Sequence, residues 1–397
     1  MPPPGTKSPR RSRNGKPGTK KTINDRMNRT GIIFTLGLVA LSACTTEKLT
    51  PDDQLARHQI QFTVSPIKSS ATRATTATFS AFDQSRTFGT SAYLLSSGNW
   101  SDNRAAATLT AIDEEKISCK DGIWKAWESQ KSYYWGDFDG SLNFLSWSPY
   151  DLIDNGLSIN ASNNFTYSDW KVTNTPGYGY QNNGGTYTAD SSIDLLLAES
   201  PDCTENNSST GVLTQFVHQL CNVKLYAKLD NKPADGETWS ITKVDLTGIY
   251  TKADLLKAAV TGDNNDGVWG NQSDTLTYTR EFAKAIKLTY SDSENANAAE
   301  TEIFPQTLMI PQSVFSTTAR EPKVKITVQI AKSDGTTKTK ILQGVLASSV
   351  YATLIAWEPA RSITYHIHIS TIDEWIDFDA SSYDWTYTDN KDINIVG

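Results

Sequence analysis

Short segments in which apolar and polar residues alternate recur along this chain of 397 residues, and they constrain its fold more than any other feature. Residues 324–330 alternate strictly, and residues 365–369 repeat the pattern. Successive side chains of a strand point to opposite faces, so a period of two predicts strands with one buried face. Strands are predicted at Ile60–Val64, Phe88–Leu95, Ile123–Trp127, Tyr133–Trp135, Leu142–Trp147, Ile193–Ala198, Leu213–Leu229, Trp239–Tyr250, Leu276–Phe282, Ile303–Ile310, Val324–Ile330, Lys340–Leu346 and Ile363–Ile369.

The segments between these strands are rich in turn residues, and the longest of them runs from Asp154 to Ser192. Helical patterning is nearly absent; only Ala253–Ala259 and Glu281–Ile286 are expected to form a turn or two. Many short strands without a strand–helix rhythm predict an all-β protein built of antiparallel β-sandwiches. A polar break at Ser200–Gly211 and the length of the chain indicate two tandem domains, residues 60–205 and 206–397.

An apolar run of 11 residues, Gly31 to Leu41, precedes these domains. Arg29 lies before it, and Ser42 and Ala43 lead into Cys44, which is the layout of an export signal with a small-residue cleavage site. The run is too short to span a bilayer, which needs about 20 apolar residues. Residues 41–44 resemble a bacterial lipobox, so Cys44 is predicted to carry diacylglycerol and palmitate as the first residue of the mature chain. A plain secretory signal that ends near a cysteine is the alternative.

Residues 1–43 are assigned to an N-terminal extension and a lipoprotein signal peptide, and polar residues 44–59 to a tether between the lipid and the fold. The extension before Met27 is expected to be a gene-start artefact or an unusually long basic region. Residues 1–43 hold nine Lys or Arg and one acid, so the remainder carries a net charge near −15 against −7 for the whole chain. An acidic mature chain repels nucleic acid and anionic headgroups, so no nucleic-acid partner is expected and membrane attachment depends on the lipid.

Residue types that carry catalysis or bind metal are sparse. The mature chain has four histidines: His58 in the tether, His218 in an apolar segment, and His366 with His368 on one face of a strand. We interpret His218 as a structural residue, buried or half-buried at the start of a strand. The strand pair is interpreted as exposed polarity, because no third ligand lies near in sequence. No nucleophile motif, phosphate loop or dinucleotide fingerprint is present. No catalytic residue, metal site or cofactor is therefore predicted.

Three cysteines follow Cys44, namely Cys119, Cys203 and Cys221. They are too few for a disulfide framework and show no C-x-x-C spacing, so neither zinc binding nor redox chemistry is indicated. Pairing of Cys203 with Cys221 stays open.

Eight aromatic residues fall within residues 124–147, and seven of them allow two interpretations. Aromatic side chains on a β surface can stack on sugar rings, which would give a carbohydrate-binding module. Alternatively, they fill the core of a sandwich, where each buries a large apolar area. The core interpretation is favoured, although some members are expected to be exposed or covered by another chain. The seven are Trp124, Trp127, Tyr133, Tyr134, Trp135, Phe144 and Trp147.

The order of these features resembles the fimbrillins of Bacteroidales, from Cys44 nearly to the end of the chain. A lipobox is followed by one strand, a hydroxyl-rich stretch with the single arginine Arg73, and two β-sandwich domains. Local patterns similar to fimbrillin-like proteins include Tyr133–Trp135 with Leu142–Tyr150, Phe216–Leu220, Val244–Ile249, Met309–Ser313 and Trp357–Pro359 leading to Tyr365–Ile367.

This resemblance implies a transthyretin-like sandwich in each domain and a subunit of a type V pilus. It implies delivery to the outer membrane as a lipoprotein, followed by trimming by an arginine-specific protease. Carried onto this sequence, the trimmed bond is Arg73–Ala74, and the displaced strand is the one that carries Ile60, Phe62 and Val64. A strand from a neighbouring subunit would then fill the groove.

Two hypotheses follow. In the first, the chain is a structural subunit of a surface fimbria that supports cell adhesion, with other fimbrial subunits and a host or bacterial surface ligand as partners. In the second, it is a surface lipoprotein that never polymerises and binds glycans. Candidate donor strands for the first lie near the carboxyl end, at Trp375, Ile376 and Phe378 or at Ile393–Val396.

Overall fold

The computed structural model describes residues 58–65, 82, 84–129, 131–172, 193–258, 260–261, 264–265, 267–292, 299–347, 356–372 and 376–384. Most of these residues belong to strands, which confirms the predicted all-β class. The described strands are β1 (Phe62–Ser65), β2 (Thr87–Leu95), β3 (Thr108–Leu109), β4 (Glu115–Lys120), β5 (Ile123–Lys125), β6 (Ser141–Ser148), β7 (Leu157–Ile159), β8 (Phe165–Lys171), β9 (Leu196–Cys203), β10 (Val212–Gln215), β11 (Val217–His218), β12 (Cys221–Leu229), β13 (Glu237–Ala258), β14 (Val260–Thr261), β15 (Asn264–Asn265), β16 (Val268–Lys287), β17 (Thr301–Met309), β18 (Gln312–Ser313), β19 (Lys323–Lys332), β20 (Thr337–Val345), β21 (Ala356–Trp357), β22 (Arg361–Ile369) and β23 (Ile376–Asp384).

Helical structure among the described residues is limited to single turns. The α-helical turn α1 spans Trp100–Asn103, and Asn99 caps it by accepting a hydrogen bond from the backbone N–H of Asp102 (3.2 Å). Four 3₁₀ turns lie at Arg104–Ala106, Trp135–Asp137, Tyr150–Asn155 and Glu205–Ser208. No helix in this part of the chain is long and apolar enough to cross a membrane.

Three sheets carry the fold. Sheet 1 has the order β10-β1-β5-β4-β2-β6-β9-β11, with β3 added to β2. Sheet 2 has the order β20-β19-β13-β8-β7, with β16 along β13, and sheet 3 has the order β17-β12-β22-β23. Most pairs are antiparallel, as predicted, but β1 pairs with β10 and β12 pairs with β22 in parallel. Short ladders join β14 to β15 and β18 to β21.

Two cores hold these sheets together. The larger core contains the alternating apolar residues of β12, β13, β19 and β22, which is why the alternation of these strands is clear in the sequence. The smaller core lies on one face of sheet 1 and is rich in aromatic side chains. β6 is buried on both faces, since Phe144 belongs to the smaller core while Leu145 and Trp147 belong to the larger one. The aromatic members of the smaller core are Phe62, Phe82, Phe88, Trp124, Trp135, Phe144 and Phe216.

The two predicted helical segments are wrong where the structure describes them. Residues 253–258 continue β13, and residues 281–286 continue β16. Both strands contain register shifts in their common ladder, and such bulges break the period of two. The predicted strand Tyr133–Trp135 is reduced to one bridge at Tyr134, followed by a 3₁₀ turn.

All described residues lie in one compact unit. The predicted boundary between residues 205 and 206 falls between β9 and β10, and both are strands of sheet 1. β8 lies before the predicted boundary, but it pairs with β13 of sheet 2, which lies after it. The division into two tandem domains stays a prediction.

Candidate functional site

The candidate site is the position of β1 inside sheet 1, between β10 and β5. We call the space that β1 fills the β1 cleft. Along one side β1 runs parallel to β10, from the pair Phe62–Val212 to the pair Ser65–Gln215. Along the other side it runs antiparallel to β5, where Phe62 pairs with Trp124. β1 is therefore an internal strand rather than an edge strand.

The inner face of β1 is apolar and belongs to the smaller core. Ile60 and Phe62 are buried, and Val64 is half-buried against the same core. The ring of Phe62 meets the rings of Phe88 and Phe144 edge to face, with centroids 5.6 and 5.4 Å apart. These are the three residues predicted to form the displaced strand; whether the strand leaves the sheet stays a prediction.

The backbone just before β1 is bound to residues 132–135. The N–H of Ile60 donates to the carbonyl of Tyr133 (2.8 Å), and the N–H of Trp135 donates to the carbonyl of His58 (3.1 Å). The side chain of Gln59 donates to Ser132 Oγ (3.2 Å). His58 and Gln59 end the predicted tether, and here they already form part of the contacts that hold β1.

Glu115 links this backbone contact to sheet 1. Tyr133, whose carbonyl receives the Ile60 N–H, donates its hydroxyl to the Glu115 carboxylate, and Lys131 Nζ lies 2.9 Å from Glu115 Oε1. Burial alone would raise the pKa of Glu115, but hydrogen bonds from Lys131, Tyr133 and Ser129 outweigh it and hold that pKa below its ordinary value. Burial and the hydrogen bond to Glu115 raise the pKa of the Tyr133 hydroxyl. The carboxylate is thus kept ionised beside the cleft.

Gly211 lets β1 approach closely at the start of β10. Its φ of +77° lies in the region that favours glycine, and a Cβ there would lie 2.8 Å from Thr63 Oγ1 and 3.2 Å from the carbonyl carbon of Phe62. The N–H of the next residue, Val212, donates to the carbonyl of Gln61 (2.7 Å). Neither Gly211 nor β10 was predicted from the sequence to be part of the site. A glycine that ends a polar stretch just before an alternating segment was the available signal.

The segment that follows β1 carries the predicted cleavage bond. Arg73, Ala74 and the predicted lipid site Cys44 lie outside the described residues.

Phe82 is described and is buried in the smaller core. Its ring stacks on Phe216 with centroids 5.0 Å apart and meets Trp124 at 5.6 Å.

The aromatic cluster divides as the core interpretation requires. Trp124, Trp135, Phe144 and Trp147 are buried, and Trp127, Tyr133 and Tyr134 are half-buried. Lys125 Nζ lies 4.0 Å from the centroid of the Trp127 ring. The buried members support the core and are not available as a platform for sugars.

The histidines pair with carboxylates. His218 is buried as predicted, with Nδ1 2.8 Å from Asp194 Oδ1. On β22, His366 Nδ1 lies 2.8 Å from Glu300 Oε1 and His368 Nδ1 lies 2.8 Å from Asp230 Oδ1. No group of three metal-ligating side chains occurs in the described ranges.

The cysteines and one donor candidate are also placed. Cys119, Cys203 and Cys221 are free thiols, so the open question of a Cys203–Cys221 bridge is answered by two unbridged, buried side chains. Ile376 and Phe378 belong to β23, which pairs with β22 of the same chain. Trp375 and the second donor candidate, Ile393–Val396, lie outside the described residues.

Comparison with known proteins finds several solved structures that resemble this chain. A fimbrial protein from Bacteroides vulgatus is 16% identical, with a TM-score of 0.49, and the match covers 83% of this chain and 99% of that one. A structure from Bacteroides uniformis, described as a putative cell adhesion protein, is 16% identical with a TM-score of 0.42, and the match covers 83% of this chain and 99% of that one. A structure with the same description from Bacteroides ovatus is 13% identical with a TM-score of 0.42, and the match covers 83% of this chain and 98% of that one. No curated protein matches the chain.

The family assignment depends on the sequence match rather than on these structures, whose TM-scores are below 0.5. The model of the fimbrillin-like family matches residues 72–385, which is most of the chain. That range begins just after β1 and next to the predicted cleavage bond, and it ends just after β23. The chain belongs to the fimbrillin-like family.

Proposed function

We propose that this chain is a structural subunit of a cell-surface fimbria, made as a lipid-anchored precursor and assembled by strand replacement in the β1 cleft. The anchor is a lipid on Cys44 that holds the precursor at the outer membrane. Cleavage of the Arg73–Ala74 bond separates β1 from the rest of the chain. A strand of a neighbouring subunit then takes the place of β1 and joins the two subunits, which makes the fibre that supports adhesion.

The position of β1 is the observation that carries this proposal. A strand of four residues fills an internal place in a sheet, so its departure leaves the N–H and C=O groups of β10 and β5 without partners. Unpaired polar groups in a buried place cost about 1–3 kcal/mol each, and the vacated cleft would also expose Phe88 and Phe144. A strand from another chain restores both sets of contacts, as in recognition by β-strand addition.

Family membership supports the same function. Fimbrillin-like proteins take their name from fimbrial subunits, and a fibre subunit needs no catalytic machinery. The described histidines each pair with a carboxylate in a structural contact. This supports a role as a structural protein, with other fimbrial subunits as partners and the cell surface as its location.

The proposal is tested by trimming the purified Cys44→Ser chain with an arginine-specific protease. Cleavage after Arg73 should convert the monomer into a ladder of polymers that resists heating in detergent. The Arg73→Ala chain should stay a monomer and keep residues 58–65. Arg73→Lys in a Lys68→Gln background, cut by a lysine-specific protease, is the matched control, because Lys68 also follows β1 and only the new lysine should then restore assembly. If the protease-treated Arg73→Ala chain formed ladders equal to those of the protease-treated chain with Arg73 intact, the proposal would be contradicted.

The anchor is tested separately in cells. Cys44→Ser should abolish incorporation of labelled palmitate and release the protein from the membrane fraction, because acyl chains are the expected attachment. Cys119→Ser is the control and should leave labelling unchanged. Full membrane retention of the Cys44→Ser chain would rule out this anchor.

A further inference from the structure

The outer face of sheet 1, on the side away from the smaller core, is exposed where β10, β1, β5 and β4 lie side by side. Thr63 of β1 pairs with Leu213 of β10, and the antiparallel register of β1 with β5 puts Thr63 level with Ile123. Ile123 in turn pairs with Lys120 of β4. Ile123 is 40% exposed and Leu213 is 53% exposed. Two large apolar side chains therefore face outward in one cross-strand row that ends at a lysine.

Trp127 lies over the same face. Its indole N–H donates to the carbonyl of Ile123 (3.0 Å), and its ring is half-buried. Lys125 Nζ lies 4.0 Å from the ring centroid and Lys120 Nζ lies 5.6 Å from it. Exposed apolar side chains, an indole ring and lysine amines together are the composition that suits the boundary between lipid headgroups and acyl chains.

The charge of this face contrasts with that of the mature chain, whose net charge is near −15. Lys116, Lys120 and Lys125 supply three amines. Two carboxylates lie close to them in the chain: Glu128 pairs with Lys116 (3.0 Å), and Asp121 follows Lys120 in the turn between β4 and β5. In the described part of the chain, Lys120 and Lys125 form no ion pair, so their amines can donate to a ligand. An excess of amines on one face of an acidic chain favours the orientation that turns this face toward an anionic surface.

The chain enters the fold beside the same face. Lys125 Nζ donates to the side-chain oxygen of Gln59 (3.0 Å), so the lysine that lies over Trp127 also contacts the first described segment. His58 follows Cys44 by 14 residues. A flexible tether of that length spans about 20 Å on average and about 50 Å at most. A lipid on Cys44 would therefore keep this face close to the bilayer.

We propose that this surface, which we call the docking face, binds the bilayer surface when the chain is held there by its N-terminal tether. Ile123, Leu213 and Trp127 lie among the headgroups, and Lys120 and Lys125 donate to lipid phosphates. Each contact is weak, but a short tether raises the effective concentration of the face at the bilayer to the millimolar range. This inference rests on the lipid anchor of the proposed function, and it does not depend on strand replacement.

The first experiment measures the orientation of the chain on vesicles. Residues 45–397 carry an N-terminal histidine tag that binds a nickel-chelating lipid in vesicles of phosphatidylethanolamine and phosphatidylglycerol. A fluorophore is attached at Thr63→Cys or at the matched Thr339→Cys, an exposed threonine of β20 in sheet 2, each in a Cys119→Ser background. Lipid spin-labelled at the headgroup should quench the probe at position 63 and leave the probe at position 339 near its unquenched intensity. Equal quenching at the two positions would overturn the docking face.

The second experiment removes single contacts and follows the quenching at position 63. Lys120→Gln should lower the ratio of docked to undocked chain about five-fold, which corresponds to about 1 kcal/mol for a lysine near an anionic surface. Lys171→Gln, the same change at an exposed lysine of β8, should leave the ratio unchanged. Ile123→Gln with Leu213→Gln should also lower it, and this loss should persist at high salt, where the loss from Lys120→Gln should fade. Equal ratios for Lys120→Gln and Lys171→Gln would contradict the proposed contacts.

The outcomes separate this inference from the proposed function. Because the histidine tag replaces the lipid, a chain without a preferred orientation overturns the docking face even if Cys44 carries palmitate. Loss of palmitate labelling is read in the separate cell experiment, and it would remove the anchor without changing the orientation of the tagged chain. An acidic polysaccharide added without vesicles tests the other class of ligand. If it binds the chain through Lys120 and the vesicles do not orient the chain, the face is a glycan site and not a docking face for the bilayer.

Discussion

Strands β1 and β12 hold equivalent places in two sheets, because each lies between one parallel and one antiparallel neighbour. β12 pairs in parallel with β22 over the eight residues Asn222–Leu229, and β17 pairs with its other side. β1 pairs in parallel with β10 over four residues and with β5 at one described position. A net gain of about 0.5–1.5 kcal/mol for each hydrogen bond makes the β12 ladder much the costlier one to break.

The packing of the two strands differs in the same direction. Val223, Leu225 and Ala227 of β12 have no exposed surface and belong to the larger core. Phe62 of β1 is buried in the smaller core, but Val64 is only half-buried and Thr63 is exposed. The same topology therefore gives a strongly held strand where ladder and core are long, and a more weakly held one where both are short.

The largest expected effect separates the two strands directly. Leu225→Asp places a charge in the larger core without a partner, a cost that a marginally stable domain cannot meet, so the chain should fail to fold. Phe62→Asp should instead eject β1 and leave the other strands paired. Far-ultraviolet circular dichroism should show loss of the β signal for the first variant and a near-native spectrum for the second. Loss of the β signal in both would mean that β1 is not separable from the fold.

A smaller effect is expected at the contact between β1 and β10. Gly211→Ala combines an unfavourable φ with a Cβ that meets Phe62 and Thr63, so β1 should be destabilised by about 1–3 kcal/mol. Gly335→Ala is a matched control, because Gly335 has a φ of +84° and no heavy atom within 4 Å of its Cβ position. Hydrogen exchange of the Val212 amide should rise in the first variant and stay unchanged in the second. Equal exchange in both would show that close approach at Gly211 does not matter.

The strands that could be predicted from the sequence are those with one buried face and a regular ladder. β19 and β22 are such strands, and their alternation was visible because each second residue enters the larger core. β1 was predicted for the same reason, as was the burial of His218. These inferences depend only on local pattern, so a single sequence was sufficient for them.

Other parts of the fold depend on pairings that a local pattern does not contain. β7 and β8 lie in a segment predicted as a loop, since its Ser, Thr and Asn residues hide the spacing of Phe165, Tyr167 and Trp170. The parallel pairing of β1 with β10 joins residues about 150 positions apart. Gly211 and Glu115 acquire their roles only through that pairing and through the contact at residues 131–135. The site was therefore predictable only in part: the sequence predicted β1, but not the strand and side chains that hold it in sheet 1.

The smallest effect concerns pH and the Glu115 contact beside β1. The pKa of Glu115 is held below its ordinary value of 4.5, because the hydrogen bonds from Lys131 and Tyr133 outweigh the effect of burial. A depressed pKa in the folded state means that this group adds stability above the ordinary value and loses it as pH falls through the lowered one. Acidification from neutral pH to about pH 3 should therefore loosen β1. Tyr133 makes the connection, because its hydroxyl donates to Glu115 and its carbonyl accepts the hydrogen bond from the Ile60 N–H.

β12 supplies the internal control for this last prediction. Hydrogen exchange followed against pH, with the intrinsic rate corrected, should show rising opening of residues 58–65 on acidification and unchanged protection of β12. Glu115→Gln keeps the shape of the side chain but cannot be ionised, so the opening of β1 should be greater at neutral pH and nearly independent of pH. A Glu115→Gln chain that keeps the acid dependence of the wild type would assign it to another group, and acid opening of β12 in parallel with β1 would show a change in the whole fold rather than in the β1 cleft.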